Sequence, residues 1–294
     1  CYASAEPGLM VPGRKAVYGG GGMKRDRESK VRDLRFSALG VYLQGMKTSL
    51  ASRMAYRGDF IMSMFIMMIV EFAGPLITWI IYSNGASFPG WNQYEVLLLQ
   101  GIFLLSRGIS FPFFMGIVWN TIGRVQEGTF DLLLIKPRSI LLMSIATAFD
   151  SEDLGKLIGG ILIFRIALKN LPPQPLSHWI SFMVLFLFSL IMMFAFGLFM
   201  SGLGIVWVGN YRIYDIFMTV KEFGMYPKSI FSKSFQSILT YVIPVSLLAS
   251  HPASALLGSV DGTVLPALFS SVIFLLLGIA FYFKMVKNYT SAGG

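Results

Sequence analysis

The sequence has few charged residues, and this shortage excludes most soluble proteins. Only 13% of its 294 residues are Asp, Glu, Lys or Arg, while 55% are hydrophobic and the mean hydropathy is +0.66. A soluble domain carries about a quarter charged residues, so this chain has too few to cover a globule. The aromatic content of 15% also argues against disorder, because disordered chains are poor in aromatic residues. The composition therefore predicts an integral membrane protein.

Cysteine and histidine are too scarce for the common catalytic and metal sites. Cys1 is the only cysteine, which excludes an internal disulfide and a cysteine zinc site. His178 and His251 lie far apart in the sequence, so a histidine metal cluster is not expected. Residues 123–130 have the two glycines of a phosphate-binding loop, but Thr129 stands where that loop needs lysine. We predict no catalytic residue, no metal site and no enzymatic activity for this chain.

Long apolar runs divide the chain into predicted membrane spans. A bilayer core of about 30 Å needs roughly 20 mostly apolar residues in a helix. Six runs qualify, at residues 60–82, 96–119, 140–149 with 154–171, 179–208, 238–257 and 264–283. Residues 180–196 are apolar on every face, which is typical of membrane helices and not of the alternating strands of a barrel. The sequence predicts an all-α integral membrane fold with six transmembrane helices in a domain at residues 58–287.

Basic residues concentrate on one side of these spans. Twenty of the 24 precede the first span, follow the second or fourth span, or lie in the tail, and those after the fourth are Arg212, Lys221, Lys228 and Lys233. Loops 83–93 and 251–263 contain none. The positive-inside rule then predicts a multi-pass protein of the cell (inner) membrane with both termini cytoplasmic, including a tail at 288–294. The net charge of +9 is explained by topology and lipid contact, so nucleic-acid binding is not expected.

The amino-terminal region differs from the spans in composition. Residues 1–22 hold two Pro-Gly pairs and four consecutive glycines, without the apolar core of a signal peptide. We expect a disordered or non-native extension with Met23 as the natural start; a lipid-modified Cys1 is the alternative, disfavoured by the charge bias. Residues 23–57 are basic, and apolar residues recur in them every three or four positions, at Leu39, Leu43, Met46, Leu50 and Met54. This spacing predicts an N-terminal cytoplasmic amphipathic helix at the membrane interface.

Charged residues inside spans are the first candidates for a functional site, because burying them in lipid is costly. Glu71 and Arg107 lie at the middle of the first and second spans. Since these consecutive spans are antiparallel, we predict an ion pair that faces the bundle interior. The pair either fixes helix packing, which we favour, or lines or gates a substrate path. Arg165, in the third span, either snorkels to the interface or faces a cavity.

The loop after the second span carries the most informative motif. Residues 121–138 read TIGRVQEGTFDLLLIKPR. Five positions match a G-x-hydrophobic-D-x-x-L-hydrophobic-K/R-P signature: Gly128, Asp131, Leu134, Lys136 and Pro137. In this signature, and in the stretches at 226–231, 238–244 and 251–258, the chain resembles the six-span permease subunits of ABC-2-type transporters. The resemblance covers roughly residues 34–287.

This resemblance implies a permease without an ATPase domain of its own. Two permease copies, or a copy and a sister permease, would combine with cytosolic ABC ATPase subunits that bind ATP and Mg and drive export of a drug-like, lipidic or glycan substrate. A helix after the second span would dock on the ATPase, and its candidate residues are Gly128, Phe130, Asp131, Leu133, Leu134, Lys136 and Pro137. A loop that lies at the membrane interface is the alternative for this stretch.

For the chain as a whole, the alternative is an ATP-independent secondary carrier or channel. Glu71, Arg107 and Arg165 would then be coupling or pore residues.

Overall fold

In the computed structural model of the protein, residues 37–207 and 211–290 are described, and every regular element within them is helical. The predicted extension at 1–22 and the start of the predicted basic segment lie outside these ranges. Contacts between Cα atoms divide the chain into residues 1–41 and 42–294, and the packing described below belongs to the second unit. The α-helices, numbered in chain order, are α1 (Ala38–Arg53), α2 (Arg57–Val70), α3 (Ala73–Ser83), α4 (Gln93–Ser110), α5 (Gly116–Gln126), α6 (Asp131–Leu134), α7 (Ile140–Ala146), α8 (Leu154–Lys169), α9 (Leu176–Val206), α10 (Tyr211–Glu222), α11 (Lys233–Ser237), α12 (Ser250–Leu256) and α13 (Val264–Lys287).

Four helical runs in the described part of the chain are long and apolar enough to cross a membrane. They are Ala38–Ser83, Gln93–Gln126, Leu176–Val206 and Val264–Lys287. These runs contain the first, second and sixth predicted spans and the fourth as far as Val206, so these four spans are confirmed as apolar helices of sufficient length. The third predicted span contains α7 and α8, and α8 has 16 residues, fewer than the roughly 20 that cross a bilayer core.

Four of the residues predicted to form the amphipathic helix, Leu39, Leu43, Met46 and Leu50, lie in α1, which continues into α2 through a 3-10 turn at Met54–Tyr56. Its amphipathic character and its place at the membrane interface stay predictions. Its exposed apolar residues in the second unit include Leu43 and Leu50. Other residues of α1 contact the bundle. The Ser49 hydroxyl donates to the carbonyl of Phe149 at 2.9 Å, and a side chain on Gly45 would collide with the carbonyl oxygen of Ala146. Gly45 and Ser49 of α1 therefore contact the protein, and Leu43 and Leu50 point away from it.

Glycines allow α8 to pack closely between α2 and α4. A Cβ atom on Gly160 would lie 2.8 Å from the carbonyl carbon of Leu104 in α4, and one on Gly155 would lie 2.0 Å from the carbonyl oxygen of Met64 in α2. Larger residues would force these helices apart. Although α8 is short, backbone contacts on two sides hold it inside the bundle.

The bundle has two distinguishable ends. At one end the ring of Phe130, after α5, contacts the ring of Tyr289, after α13, with 4.9 Å between centroids. We call this the basic end, because it includes Arg124, Lys136, Arg138, Lys284 and Lys287. The loops 84–92 and 257–263 form the opposite end.

The fifth predicted span, at 238–257, is not a single helix. It is divided into a π-turn at Ile238–Val242, a 3-10 turn at Val245–Leu248 and α12. The carbonyl of Leu248 accepts a hydrogen bond of 2.9 Å from the hydroxyl of Ser189, near the middle of α9. The flanking residues Lys228 and Asp261 form a salt bridge with each other. The segment between them therefore enters the bundle and returns to the end at which it began.

Lys228 consequently lies at the opposite end, and its predicted place on the basic side was wrong. The neighbouring Ser229 donates to the carbonyl of Pro89 at 3.0 Å, in a loop of the opposite end. Hydropathy does not separate a helix that crosses the bundle from a segment that enters and returns, since both are apolar. The chain reaches the opposite end instead through α10 and the 3-10 turn at Phe223–Met225.

The Lys228–Asp261 salt bridge persists at mildly acidic pH. Burial raises the pKa of Asp261, but hydrogen bonds from Lys228 and Thr263 outweigh it and hold the pKa below its ordinary value. The contribution of this contact to stability is therefore present above the ordinary carboxyl pKa and is lost only as the pH falls through the lowered value.

Two single-cysteine variants test this path of the chain. With Cys1 replaced by serine, Lys136→Cys at the basic end and Lys233→Cys beyond Lys228 should react with a membrane-impermeant maleimide from opposite sides of sealed vesicles, because the structure places them at opposite ends. Both side chains are exposed. Labelling of both from one side would show that residues 238–257 cross the membrane after all.

Candidate functional site

The loop predicted to contact an ATPase folds as a compact turn at the basic end. Gly128 has a φ of 68°, in the left-handed region that favours glycine. This conformation reverses the chain after α5, and the amides of Thr129 and Phe130 both bond to the carbonyl of Arg124, at 2.8 and 3.1 Å. Such bonds satisfy a carbonyl left free at a helix end. The short helix α6 is thereby held against the end of α5.

The seven predicted residues of this loop do not all face the same way. Phe130 and Leu133 are 0% and 1% exposed and belong to the core with Tyr282. Leu134, Lys136 and Pro137 are exposed, and Asp131 is partly exposed. Two residues that we did not predict, Leu132 and Ile135, are also exposed.

The apolar surface offered by this loop is therefore Leu132, Leu134 and Ile135, which we call the α6 patch. Helical geometry explains the division, because positions three apart, such as Phe130 and Leu133, share the inward face. The same periodicity in the sequence was the signal that could have found Leu132 and Ile135.

Glu71 and Arg107 lie together inside the bundle, as the ion pair predicted from their depth. Nη2 of Arg107 is 3.5 Å from Oε1 of Glu71, whose side chain is 1% exposed. Glu71 occupies the break between α2 and α3 and lies against Gly159 of α8. Arg107 is near the middle of the 34-residue run Gln93–Gln126. The role of the pair in packing or transport stays a prediction.

Arg107 also contacts a carboxylate that the sequence did not suggest. Its Nη1 is 3.4 Å from Oε1 of Glu222, at the end of α10, and the Glu222 side chain is 39% exposed. Both contacts are longer than the 2.7–2.9 Å of a typical charged hydrogen bond. Neither oxygen of Glu71 accepts a hydrogen bond from the described protein groups, and Nε of Arg107 has no acceptor among them. Arg107 thus lies between one buried and one half-exposed carboxylate.

Three cations surround the ring of Phe111, which begins the π-turn between α4 and α5. The guanidinium carbon of Arg107 lies 5.5 Å from the ring centroid, Nζ of Lys156 4.1 Å and Nζ of Lys221 4.7 Å. These distances fit cation–π contacts, which are stronger away from water. Lys221 is fully buried.

The charges of this group balance. Lys156 forms a salt bridge with Asp153, the N-cap residue of α8. The cluster, which we call the Arg107 cluster, consists of three acids and three bases: Glu71, Asp153, Glu222, Arg107, Lys156 and Lys221. Balance of this kind is what permits charges to remain inside a protein. Within the described residues, no group of three or more His, Cys, Asp or Glu is placed to hold a metal ion.

Helix irregularities coincide at the Arg107 cluster. Glu71 lies at the α2–α3 break, Phe111 opens a π-turn, and Glu222 ends α10. Irregular turns of this type inside helices often occur at functional sites.

Arg165 is not part of this cluster. It lies on the exposed face of α8, nine residues after Lys156, which is about 13 Å along a helix. It lines a shallow surface depression with Lys169, Leu162 and Ile166. The structure therefore separates Arg165 from the two residues with which it was grouped.

Apolar helices of membrane-spanning length, with a balanced charge cluster among them, define a multi-pass helical membrane protein. A family model described as ABC-2 family transporter protein matches residues 65–293. The match covers most of the chain, so the protein belongs to the ABC-2 transporter family and is a membrane permease component, as the 128–137 motif had indicated. Membership implies association with an ATP-binding subunit. No curated protein matches the sequence.

Neutral substitutions test the coupling between Glu71 and Arg107. Arg107→Gln should destabilise the protein by about 3–5 kcal/mol, because it removes the cation that is paired with the buried Glu71 carboxylate. Adding Glu71→Gln should recover much of that loss, measured as the melting temperature in detergent. Charge reversal is less suitable, since a glutamate at 107 would face Glu222. Arg165→Gln, on the exposed face of α8, is the control and should melt like the wild type. If the change in melting temperature of the double variant equals the sum of the changes in the two single variants, Glu71 and Arg107 do not interact directly.

Proposed function

We propose that this chain is the membrane-spanning subunit of an ATP-driven exporter whose cargo is drug-like, lipidic or a glycan. ATP and Mg²⁺ would be bound by separate cytosolic subunits, and two permease copies, or one copy with a sister permease, would complete the complex. The observation that carries this proposal is the α6 patch: exposed apolar side chains held rigidly at the basic end of a chain of this family.

The α6 patch has the properties of a docking surface. A cluster of exposed apolar side chains beside Lys136 calls for a partner, because such surfaces are unfavourable in water. The buried Phe130 and Leu133 hold α6 in place, so the patch does not need to fold when it binds. A force on the patch would reach α5 through the bonds to the carbonyl of Arg124.

The proposed topology has six crossings: the four long runs, the short helix α8 as the third crossing, and α10 with the following 3-10 turn as the fifth. An even number places both termini on one side, and the basic residues favour the cytoplasm for it. Reassigning Lys221, Lys228 and Lys233 still leaves 17 of the 24 basic residues on that side. The basic end would then be cytoplasmic, where an ATPase is available to the α6 patch.

Copurification tests the docking surface. Replacing Leu132 and Ile135 by serine should reduce the ATP-binding subunit recovered with the permease about tenfold, because losing about 1.4 kcal/mol of binding has that effect. The variant should keep the melting temperature of the wild type, since both side chains are exposed.

Two further variants separate docking from folding. Val260→Ser removes an equally exposed apolar side chain at the opposite end and should leave copurification unchanged. Phe130→Ala should lower the stability by about 3–5 kcal/mol, because it empties a core position. Full recovery of the ATPase with the Leu132 and Ile135 variant would exclude the α6 patch as the docking site.

The carrier or channel alternative makes a different prediction. Purified and reconstituted alone in liposomes, the chain should move no solute against its gradient, because the driving reaction belongs to another subunit. Uphill transport by the chain alone, sustained by an ion gradient, would establish a secondary carrier.

A further inference from the structure

Two cations share the exposed face of α8. Arg165 and Lys169 are four residues apart, so they lie on the same side of the helix, and both residues are exposed. Neither forms a salt bridge with another residue that the structure describes, and α8 itself contains no acidic residue. Arg107 and Lys156, by contrast, each contact a carboxylate. We call Arg165 and Lys169 the α8 cations.

The α8 cations lie within the length of the bundle, toward its opposite end. A Cβ atom on Gly101 would lie 2.8 Å from Cα of Phe164, so Arg165 is nearly level with Gly101 of α4. Gly101 is eight residues after Gln93, the first residue of α4, which is about 12 Å along a helix. The glycines of α4 meet α8 in reverse order, so the two helices are antiparallel. Lys169 is therefore about one turn nearer to the opposite end than Arg165.

Aromatic residues mark a similar level. The ring of Trp179, near the start of α9, contacts the ring of Phe164 with 6.4 Å between centroids. In the loop 84–92, the carbonyl of Trp91 accepts a hydrogen bond of 2.7 Å from the hydroxyl of Tyr82. Trp and Tyr are enriched where a bilayer meets water, at the level of the lipid headgroups. The headgroup region at the opposite end is therefore close to the α8 cations, whose side chains are long enough to reach it.

The length of α8 favours the same arrangement. Its 16 residues span about 24 Å, less than the roughly 30 Å of a bilayer core. A bilayer adapts to a short helix by becoming thinner beside it, and basic residues near the end of the helix reach for the headgroups. Lipid phosphates beside α8 are thereby brought toward the depth of the α8 cations.

The exposed surface of α8 changes from apolar to basic along the helix. Ile158, Leu162 and Ile166 are exposed at intervals of four residues, which places them on one side. The depression that Arg165 and Lys169 line also includes Leu162 and Ile166. A phospholipid has the same order of groups, because its chains lie toward the middle of the bilayer and its charged headgroup lies at the surface.

Phosphate is the anion that suits this surface. Guanidinium and ammonium groups donate charged hydrogen bonds to phosphate oxygens, and a guanidinium can donate two in parallel. A zwitterionic lipid brings a cation of its own beside the two of α8, whereas an anionic lipid supplies net negative charge. An arginine that faces lipid tails without an anion is costly. The charge and the apolar surface together favour an anionic phospholipid.

We propose that the α8 cations, with Leu162 and Ile166, form a binding site for an anionic phospholipid in the bilayer leaflet at the opposite end. The phosphate binds between Arg165 and Lys169, and an acyl chain lies along Leu162 and Ile166. This inference goes beyond the proposed function, because the site requires neither an ATPase nor a cargo.

Quenching by spin-labelled lipids tests the site. In the Cys1→Ser background, Ile158→Cys is labelled with bimane, and the protein is reconstituted in phosphatidylcholine vesicles. These contain a small fraction of phosphatidylglycerol or of phosphatidylcholine with a doxyl group on the acyl chain. At equal mole fraction the phosphatidylglycerol should quench severalfold more strongly, because its headgroup is held on the same side of α8 as the label. Adding Arg165→Gln and Lys169→Gln should remove the difference, and Arg165→Lys alone should keep most of it.

The matched control is Leu276→Cys, at an exposed apolar position twelve residues into α13. Ile158 is similarly deep, because its neighbour Leu157 contacts Gly108 in the middle of the run Gln93–Gln126. The bimane at 276 should be quenched equally by the two lipids, since no site for a headgroup is proposed beside it.

Several results would overturn the proposal. Equal quenching of the Ile158→Cys label by both lipids would show that no anionic lipid is preferred there. A preference that survives the loss of both cations would assign it to other residues, and the same preference at Leu276→Cys would show only a general enrichment of phosphatidylglycerol around the protein. Quenching by neither lipid would show that protein covers this face of α8.

Folding of the variants is checked separately. In detergent without added lipid, the variant with Arg165→Gln and Lys169→Gln should melt at the temperature of the wild type, because both side chains are exposed and neither forms a salt bridge with a described residue. The comparison of the two lipids at Ile158→Cys with both cations present needs no such variant and decides the proposal by itself.

Discussion

The structure depends on the position of Arg107 between two carboxylates from distant parts of the chain. A guanidinium in the middle of a long apolar helix is tolerated only when acids reach it. Glu71 does so from the break between α2 and α3, and Glu222 does so from the end of α10. These two contacts determine how α4 meets three other helices, and the glycines of α8 bring Lys156 close enough to join them.

The run Gln93–Gln126 connects this cluster with the α6 patch. It passes through the π-turn at Phe111–Met115 and continues as α5 to the reversal at Gly128. In the proposed transporter, a displacement of the α6 patch would be carried along α5 to Phe111. The cations around that ring, and the helix breaks beside it, would change together because they share one group of charges.

The two halves of the Arg107 cluster differ in how far the sequence could predict them. Glu71 and Arg107 stand in consecutive antiparallel spans, so equal depth could be inferred without a structure. Lys221 was predicted to lie in the loop after the fourth span, and Glu222 was not predicted as a site residue, because α10 has low hydropathy. A helix with polar, exposed residues has the composition of a loop, and only its contacts with Phe199 and Arg107 distinguish it.

By itself the sequence determined the class and the family. Apolar length is a local property that identifies the four longest membrane helices, and the 128–137 motif is local too. The tertiary structure decided that 238–257 returns to its starting end, that Phe130 and Leu133 are core residues, and that Glu222 reaches Arg107. Each of these depends on contacts between residues far apart in the chain, and hydropathy records how apolar a segment is but not its direction or its neighbours.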